Sequence, residues 1–67
     1  MRLHVNGEQV EIPDTVEKVS DLLEHLGINH KVAIVELNAN ILQKGDHAAT
    51  QLTNGDRVEI VHFVGGG

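Results

Sequence analysis

The chain has 67 residues and no cysteine, and Phe63 is the only residue among Phe, Trp and Tyr. The missing cysteine excludes disulfides, zinc thiolate sites and cysteine nucleophiles. Ten acidic and five basic residues give a formal net charge of −5, which opposes binding to nucleic acid and anionic lipid. Because so short a chain has little material to enclose a substrate pocket, the composition favours a protein that is handled by partners over a free-standing enzyme.

A β-hairpin is predicted at the start of the chain, with strands at residues 2–6 and 9–13. Polar and apolar residues alternate in both segments, and Asn6-Gly7 between them favours a tight type I′ turn, whose two central residues need positive φ. Pro13 ends the second strand because it cannot donate a hydrogen bond to a neighbouring strand.

A helix is predicted next, at about residues 18–26. Four apolar residues recur there with helical spacing, namely Val19, Leu22, Leu23 and Leu26. Three polar residues that suit an N-cap and the positive end of the helix dipole precede them: Asp14, Thr15 and Glu17. Gly27 is expected to end the helix in a left-handed conformation.

Further strands are predicted in the second half of the chain. The apolar run at residues 32–37 is typical of a strand covered on both faces. A turn at 38–40, a short strand at 41–42 and one helical turn near 46–49 follow, and residues 57–64 form the last, long strand. This order predicts an α+β fold in which one helix packs across one face of a single sheet.

The titratable residues predict neither a catalytic nor a metal site. No two of the five histidines have the i, i+4 spacing that places two ligands on one helix face, and the His-Glu-x-x-His motif is absent. A lone histidine on a half-exposed element is usually part of a polar surface. The acidic pairs Glu8/Glu11 and Asp21/Glu24 are typical of a solvated face.

The terminal glycines Gly65, Gly66 and Gly67 have no turn to form, because nothing follows them. Three residues without Cβ make a thin thread that can enter a channel too narrow for side chains, and the thread ends in the main-chain carboxylate of Gly67. With an ordinary pKa of about 3.3–3.7 this carboxylate is ionised at neutral pH and is a poor electrophile. Acyl chemistry would need activation, most naturally as a mixed anhydride with AMP. The alternative is a frayed end or a cloning remnant.

The last strand carries apolar residues on both of its faces. Alternation places Val58, Ile60, His62 and Val64 on one face and leaves Val61 and Phe63 on the other, where Ile34 of a neighbouring strand extends them. An exposed apolar cluster of this kind marks a partner surface, whereas the competing interpretation is ordinary packing at a sheet edge.

These motifs together resemble the β-grasp, ubiquitin-like sulfur carriers that end in Gly-Gly, and among them most closely the ThiS type of thiamine biosynthesis. The resemblance covers the whole chain and is carried by four segments: Val5-Asn6-Gly7-Glu8, Asp21-Leu22-Leu23, the run from Val32 to Asn38, and the run from Gly55 to Val64 with the glycines that follow. One departure is the third glycine, Gly65, where many relatives have a side chain.

The resemblance implies a β-grasp domain with a mixed sheet at residues 1–64 and a flexible tail at residues 65–67. It implies that an E1-like adenylyltransferase (ThiF type) adenylates the Gly67 carboxylate with ATP and Mg²⁺, and that sulfur from a cysteine desulfurase, passed as a persulfide, makes a thiocarboxylate. A thiazole synthase (ThiG type) then takes this sulfur. Gly65 and Gly66 give access, the docking residues are Ile34, Val61, Phe63 and Val64, and the chain itself is not the catalyst and binds no cofactor or metal.

Two alternatives keep the fold and change the role. The first is a sulfur carrier of the type found as the small subunit of molybdopterin synthase, and the second is a ubiquitin-like modifier or a plain interaction module. The N-terminal residues 1–6 lack the apolar core of a signal peptide, so the cytoplasm is the expected location.

Overall fold

A computed structural model describes residues 1–62, so the predicted end of the last strand and the glycine tail lie outside the described residues. The division into a domain at 1–64 and a tail at 65–67 therefore stays a prediction. Residues 1–62 form five strands, one α-helix and two short 3₁₀ turns, at His30–Val32 and Lys44–Asp46. The longer elements are β1 (Arg2–Val5), β2 (Glu8–Glu11), α1 (Val19–His25), β3 (Ala33–Leu37), β4 (Asn40–Ile41) and β5 (Arg57–His62).

The strands form one mixed sheet in the order β2-β1-β5-β3-β4. The first and last strands, β1 and β5, run parallel at its centre, and every other neighbouring pair is antiparallel. In the β3–β5 pair, Val35 lies opposite Ile60 and Leu37 lies opposite Val58. This arrangement confirms the predicted α+β, β-grasp architecture, with the C-terminal strand between two partners.

Helix α1 packs across one face of this sheet and forms the core with it. Its apolar side, formed by Val19, Leu22 and Leu23, is buried. The sheet contributes the alternate residues of its three inner strands, which are Leu3, Ala33, Val35, Val58 and Ile60. The apolar residues with helical spacing in α1 and those with alternating spacing in the strands therefore pack together in one core.

Both predicted glycine positions have the backbone conformation that their roles require. Asn6 and Gly7 have φ values of 50° and 83°, which is the pair of positive angles that a type I′ hairpin turn needs. Gly27 follows the helix with φ of 73°, in the left-handed region that ends helices.

The predicted N-cap of α1 is wrong. The N-cap residue is Lys18, and none of Asp14, Thr15 and Glu17 supplies the capping side chain. Instead, the carboxylate of Asp21 reaches back from inside the helix and accepts hydrogen bonds from the backbone N–H groups of Lys18 and Glu17. This is the Asp or Glu half of a capping box; the other half is missing because a lysine ammonium cannot accept a hydrogen bond.

One further prediction needs correction. Strand β3 is covered on one face only, since Ala33 and Val35 are buried whereas Ile34 is 45 % exposed. Its apolar run therefore reflects a buried face plus an exposed apolar residue on the outer face. The helical turn expected near residues 46–49 is present, since the N–H groups of Ala49 and Thr50 both donate to the carbonyl of Asp46, and the 3₁₀ turn at Lys44–Asp46 precedes it.

Candidate functional site

The central strand β5 leads towards the predicted sulfur-carrying end of the chain. Hydrogen bonds from the N–H groups of His4 and Asn6 to Asp56 and Val58 hold it to the region of β1, at 2.9 Å each. The predicted carboxylate on Gly67 and the access residues Gly65 and Gly66 lie outside the described residues, as do the docking candidates Phe63 and Val64. The roles assigned to these five residues therefore stay predictions.

The face of the sheet opposite α1 carries an exposed apolar pair next to this strand. Ile34 of β3 and Val61 of β5 lie directly opposite each other in the antiparallel register. Ile34 is 45 % exposed and Val61 is 57 % exposed. The structure thus brings these two predicted docking residues together on one solvent-facing surface, which is the arrangement that a partner interface uses. Their docking role itself stays a prediction.

Ile41 extends this surface, and the sequence did not predict its position there. It is 71 % exposed and lies opposite Glu36, which is on the same face of β3 as Ile34. A two-residue strand has no periodicity that could assign a face to its residues, so the exposure of Ile41 could not be predicted. We call Ile34, Ile41 and Val61 the apolar outer patch.

Two carboxylates border the apolar outer patch. Glu36 of β3 lies directly opposite Glu59 of β5, two pairs along from Ile34 and Val61 and on the same face of the sheet. Within residues 1–62 the ion pairs are Met1 with Asp14 and Arg2 with Glu11, so neither of the two glutamates takes part in one. The outer face is therefore apolar near the C-terminal end of β5, at Val61, and acidic further back along this strand, at Glu59.

The histidines do not assemble into a site. The described part of the chain contains no group of three side chains from His, Cys, Asp and Glu that could hold a metal ion. One expectation for the histidines is wrong, because His47 is buried, with 2 % of its surface exposed. Burial lowers the pKa of its imidazole, and the nearby His30 and Lys44 lower this pKa further, whereas Asp46 acts in the opposite direction.

No helix within residues 1–62 is long and apolar enough to span a membrane.

Comparison with known proteins identifies the family. A model of the ThiS family matches residues 3–67. The sulfur carrier protein ThiS of Bacillus subtilis is 38 % identical over 65 residues, which cover 97 % of this chain and 98 % of that protein. The crystal structure of the thiamine biosynthesis protein ThiS from Geobacter metallireducens superposes with a TM-score of 0.83 at 35 % identity, with full coverage of both chains.

A second kind of relative is longer. A thiazole synthase of Paramagnetospirillum magneticum is 37 % identical over 67 residues, so the match covers all of this chain but only 20 % of that protein. The short relatives match from end to end and in fold, and the family match includes the terminal glycines. The chain therefore belongs to the ThiS family, the sulfur carrier proteins of thiamine biosynthesis.

Proposed function

We propose that this chain carries sulfur as a thiocarboxylate on Gly67 and donates it to thiazole formation. The observation that supports this most directly is the family match, which extends to the last residue and includes Gly65, Gly66 and Gly67. As a member of a carrier family the chain is a carrier and not a catalyst. A carrier role agrees with the absence of cysteine from the sequence, because the group that would hold the sulfur is a main-chain carboxylate and not a thiol.

The carboxylate would be activated before it receives sulfur. In this scheme a ThiF-type adenylyltransferase transfers AMP from ATP to the Gly67 carboxylate with Mg²⁺ and releases pyrophosphate. The terminal sulfur of a persulfide, supplied through a cysteine desulfurase, then displaces AMP to give an acyl disulfide. A thiol cleaves the sulfur–sulfur bond and leaves the thiocarboxylate. ATP and Mg²⁺ belong to the activating partner in this proposal, and the carrier binds neither of them.

The acceptor of the sulfur would be a ThiG-type thiazole synthase. The similarity to a thiazole synthase that contains a region matching this whole chain supports a close association of the two functions. Since these reactions join cytosolic metabolism, we place the carrier in the cytoplasm.

The apolar outer patch is proposed as the docking surface for these partners, together with Phe63 and Val64. Val61 lies one residue before the last described residue and Ile34 lies directly opposite it, so a partner that contacts this pair would bind close in sequence to the glycine tail. A shallow apolar surface suits a carrier that must bind several enzymes in turn and then leave each of them.

Intact-mass measurement tests the central proposal. The chain is incubated with ATP, Mg²⁺, a ThiF-type adenylyltransferase and a persulfide source, and its mass is then compared with that of the untreated chain. We expect the increase that corresponds to exchange of one oxygen for sulfur. A chain with an amidated C-terminus has no free carboxylate on Gly67, so it is the matched control and should stay unchanged. An intact chain that forms neither an adenylate nor the exchanged product would contradict the proposal.

A further inference from the structure

His47 belongs to a segment whose backbone is hydrogen-bonded to the first turn of α1. The backbone carbonyl of His47 accepts from the N–H of Ser20 at 2.9 Å, and that of Thr50 accepts from the N–H of Val19 at 3.0 Å. Gln51 also forms an isolated bridge with Lys18. Because the first N–H groups of a helix have no partner inside the helix, residues 44–51 satisfy donors that would otherwise depend on water. We call residues 44–51 the latch segment.

The side chain of His47 is the buried part of an otherwise exposed segment. It is 2 % exposed, whereas Lys44, Gly45, Asp46 and Ala48 are exposed. Neither of its ring nitrogens has a hydrogen-bond partner within the described part of the protein. A neutral imidazole contains one donor and one acceptor, and both lack a protein partner here, whereas a protonated ring would leave two donors and a full charge without one.

The charged groups around His47 oppose its protonation on balance. His30, in the 3₁₀ turn before β3, and Lys44, in the latch segment, both disfavour a second positive charge. Lys44 is held nearby because its ammonium donates to the carbonyl of Lys31. Asp46 favours protonation, but burial is the largest effect. On the α1 side, the carboxylate of Asp21 is already engaged by the backbone N–H groups of Glu17 and Lys18.

We propose that His47 makes the latch segment an acid-operated latch: protonation of the buried imidazole releases residues 44–51 from the first turn of α1 while the β-sheet remains folded. The ring must leave its buried site to be solvated, and the backbone carbonyl of His47 is one of the groups that hold the segment. The sheet does not depend on these contacts, because β1, β3 and β5 are joined by their own hydrogen bonds. This inference is independent of the proposed sulfur chemistry.

The direction of the pH effect follows from linkage. The open segment binds its proton near the ordinary histidine pKa of about 6.5, and the closed segment binds it at a lower pH. At pH values between the pKa of His47 in the closed form and its pKa in the open form, the open form holds more protons than the closed form. The open population should therefore rise as the pH falls, by up to about tenfold per pH unit.

Amide hydrogen exchange followed by NMR tests the proposal in the intact chain. The readouts are the protection factors of the Val19 and Ser20 amides from about pH 8 to about pH 5, the range in which histidine titrates. The Asn6 amide, which donates to Val58, reports on the sheet. We expect the protection of Val19 and Ser20 to fall towards low pH while that of Asn6 stays constant. Loss of all three in parallel would mean global unfolding and would overturn the proposal.

Variants assign the effect to the ring. In His47→Leu the protection of Val19 and Ser20 should no longer depend on pH, and in the control His25→Gln, which alters an exposed histidine on α1, the dependence should remain. His30→Gln removes a group that opposes protonation of His47, so opening should begin at higher pH. If His47→Leu does not fold, His47→Asn replaces it as a polar side chain that does not titrate. An unchanged pH dependence without His47 would overturn the proposal.

Discussion

The side-chain amide of Asn6 pairs with both backbone groups of Ile60. Its Nδ2 donates to the Ile60 carbonyl oxygen at 3.1 Å, and its Oδ1 accepts from the Ile60 N–H at 2.7 Å. Strand β1 has already turned into the hairpin at this point, so the side chain continues the pairing that the backbone can no longer make. A turn residue thereby fixes β5 two positions before the last described residue.

Replacing Asn6 should therefore destabilise the fold. Asn6→Ala removes two hydrogen bonds worth about 1 kcal/mol each. It also puts alanine at a positive φ, which asparagine tolerates better because its polar side chain can form local hydrogen bonds. We therefore expect the free energy of unfolding to fall by about 2–3 kcal/mol. Asn6→Gly removes the bonds without the backbone strain and should lose about 1–2 kcal/mol. Urea denaturation measures both. Equal stability of the wild-type chain and both variants would mean that this pairing contributes nothing.

The docking role of the apolar outer patch predicts specific losses of affinity. Val61→Thr and Ile34→Thr keep a β-branched side chain on an exposed strand position but add a hydroxyl that a partner would have to desolvate. We expect the Kd for a ThiF-type adenylyltransferase to rise about fivefold or more, which is about 1 kcal/mol of binding free energy. Isothermal titration calorimetry measures the affinity, and an unchanged melting temperature shows that the fold is intact.

Two further variants complete this test. Leu26→Thr changes an exposed apolar residue at the end of α1, away from the outer face, and should leave the affinity unchanged. Phe63→Ala tests the docking residue that was predicted from the sequence alone. Equal losses in the Leu26 variant and in the patch variants would show that the effect is not specific to the outer face.

The sequence predicted those parts of the fold that local physics determines. Alternation and the Asn6-Gly7 pair were enough for the hairpin, and helical spacing was enough for α1. The exposure of Val61 also followed from alternation, once one face of β5 was assigned to the helix, whereas the apolar run of β3 wrongly predicted a strand covered on both faces. These features depend on residues that are close in the chain.

The features that the sequence missed depend on tertiary contacts. His47 lies in an aperiodic segment, and it is buried only because that segment packs on the first turn of α1. Ile41 has too short a strand to reveal its face. The capping of α1 from Asp21 was not expected, because three other polar residues offered a conventional N-cap and only the chain path decides among them. The glycine tail lies beyond the described residues, and its role rests on the family.

The facing glutamates of the outer face predict a stabilising substitution. Like charges directly opposite each other on neighbouring strands are destabilising, and Glu36 and Glu59 are placed in this way. In Glu59→Lys the pair becomes attractive, so we expect stability to rise by about 0.5 kcal/mol at low salt. Thermal unfolding at low and at high salt measures this gain, which should shrink as salt screens the pair.

Glu8→Lys, on the exposed edge strand β2, has the same charge change without the facing carboxylate and is the control. An equal gain in both variants would assign the effect to net charge alone.

The carboxylate of Asp21 predicts an acid-dependent loss of stability. Hydrogen bonds from the backbone N–H groups of Lys18 and Glu17 hold the pKa of this carboxyl below its ordinary value. A carboxyl whose pKa is lower in the folded state than in the unfolded chain stabilises the fold fully above the unfolded value of about 3.9, and this contribution is lost as the pH falls through the folded value. Asp21→Asn should therefore be less stable than the wild-type chain at neutral pH, and the difference should shrink below about pH 4. Denaturation curves at a series of pH values measure it, with Glu24→Gln as the matched loss of one negative charge from the same helix. A difference between Asp21→Asn and the wild-type chain that stays constant down to low pH would show that Asp21 acts through packing or helix propensity and not through its charge.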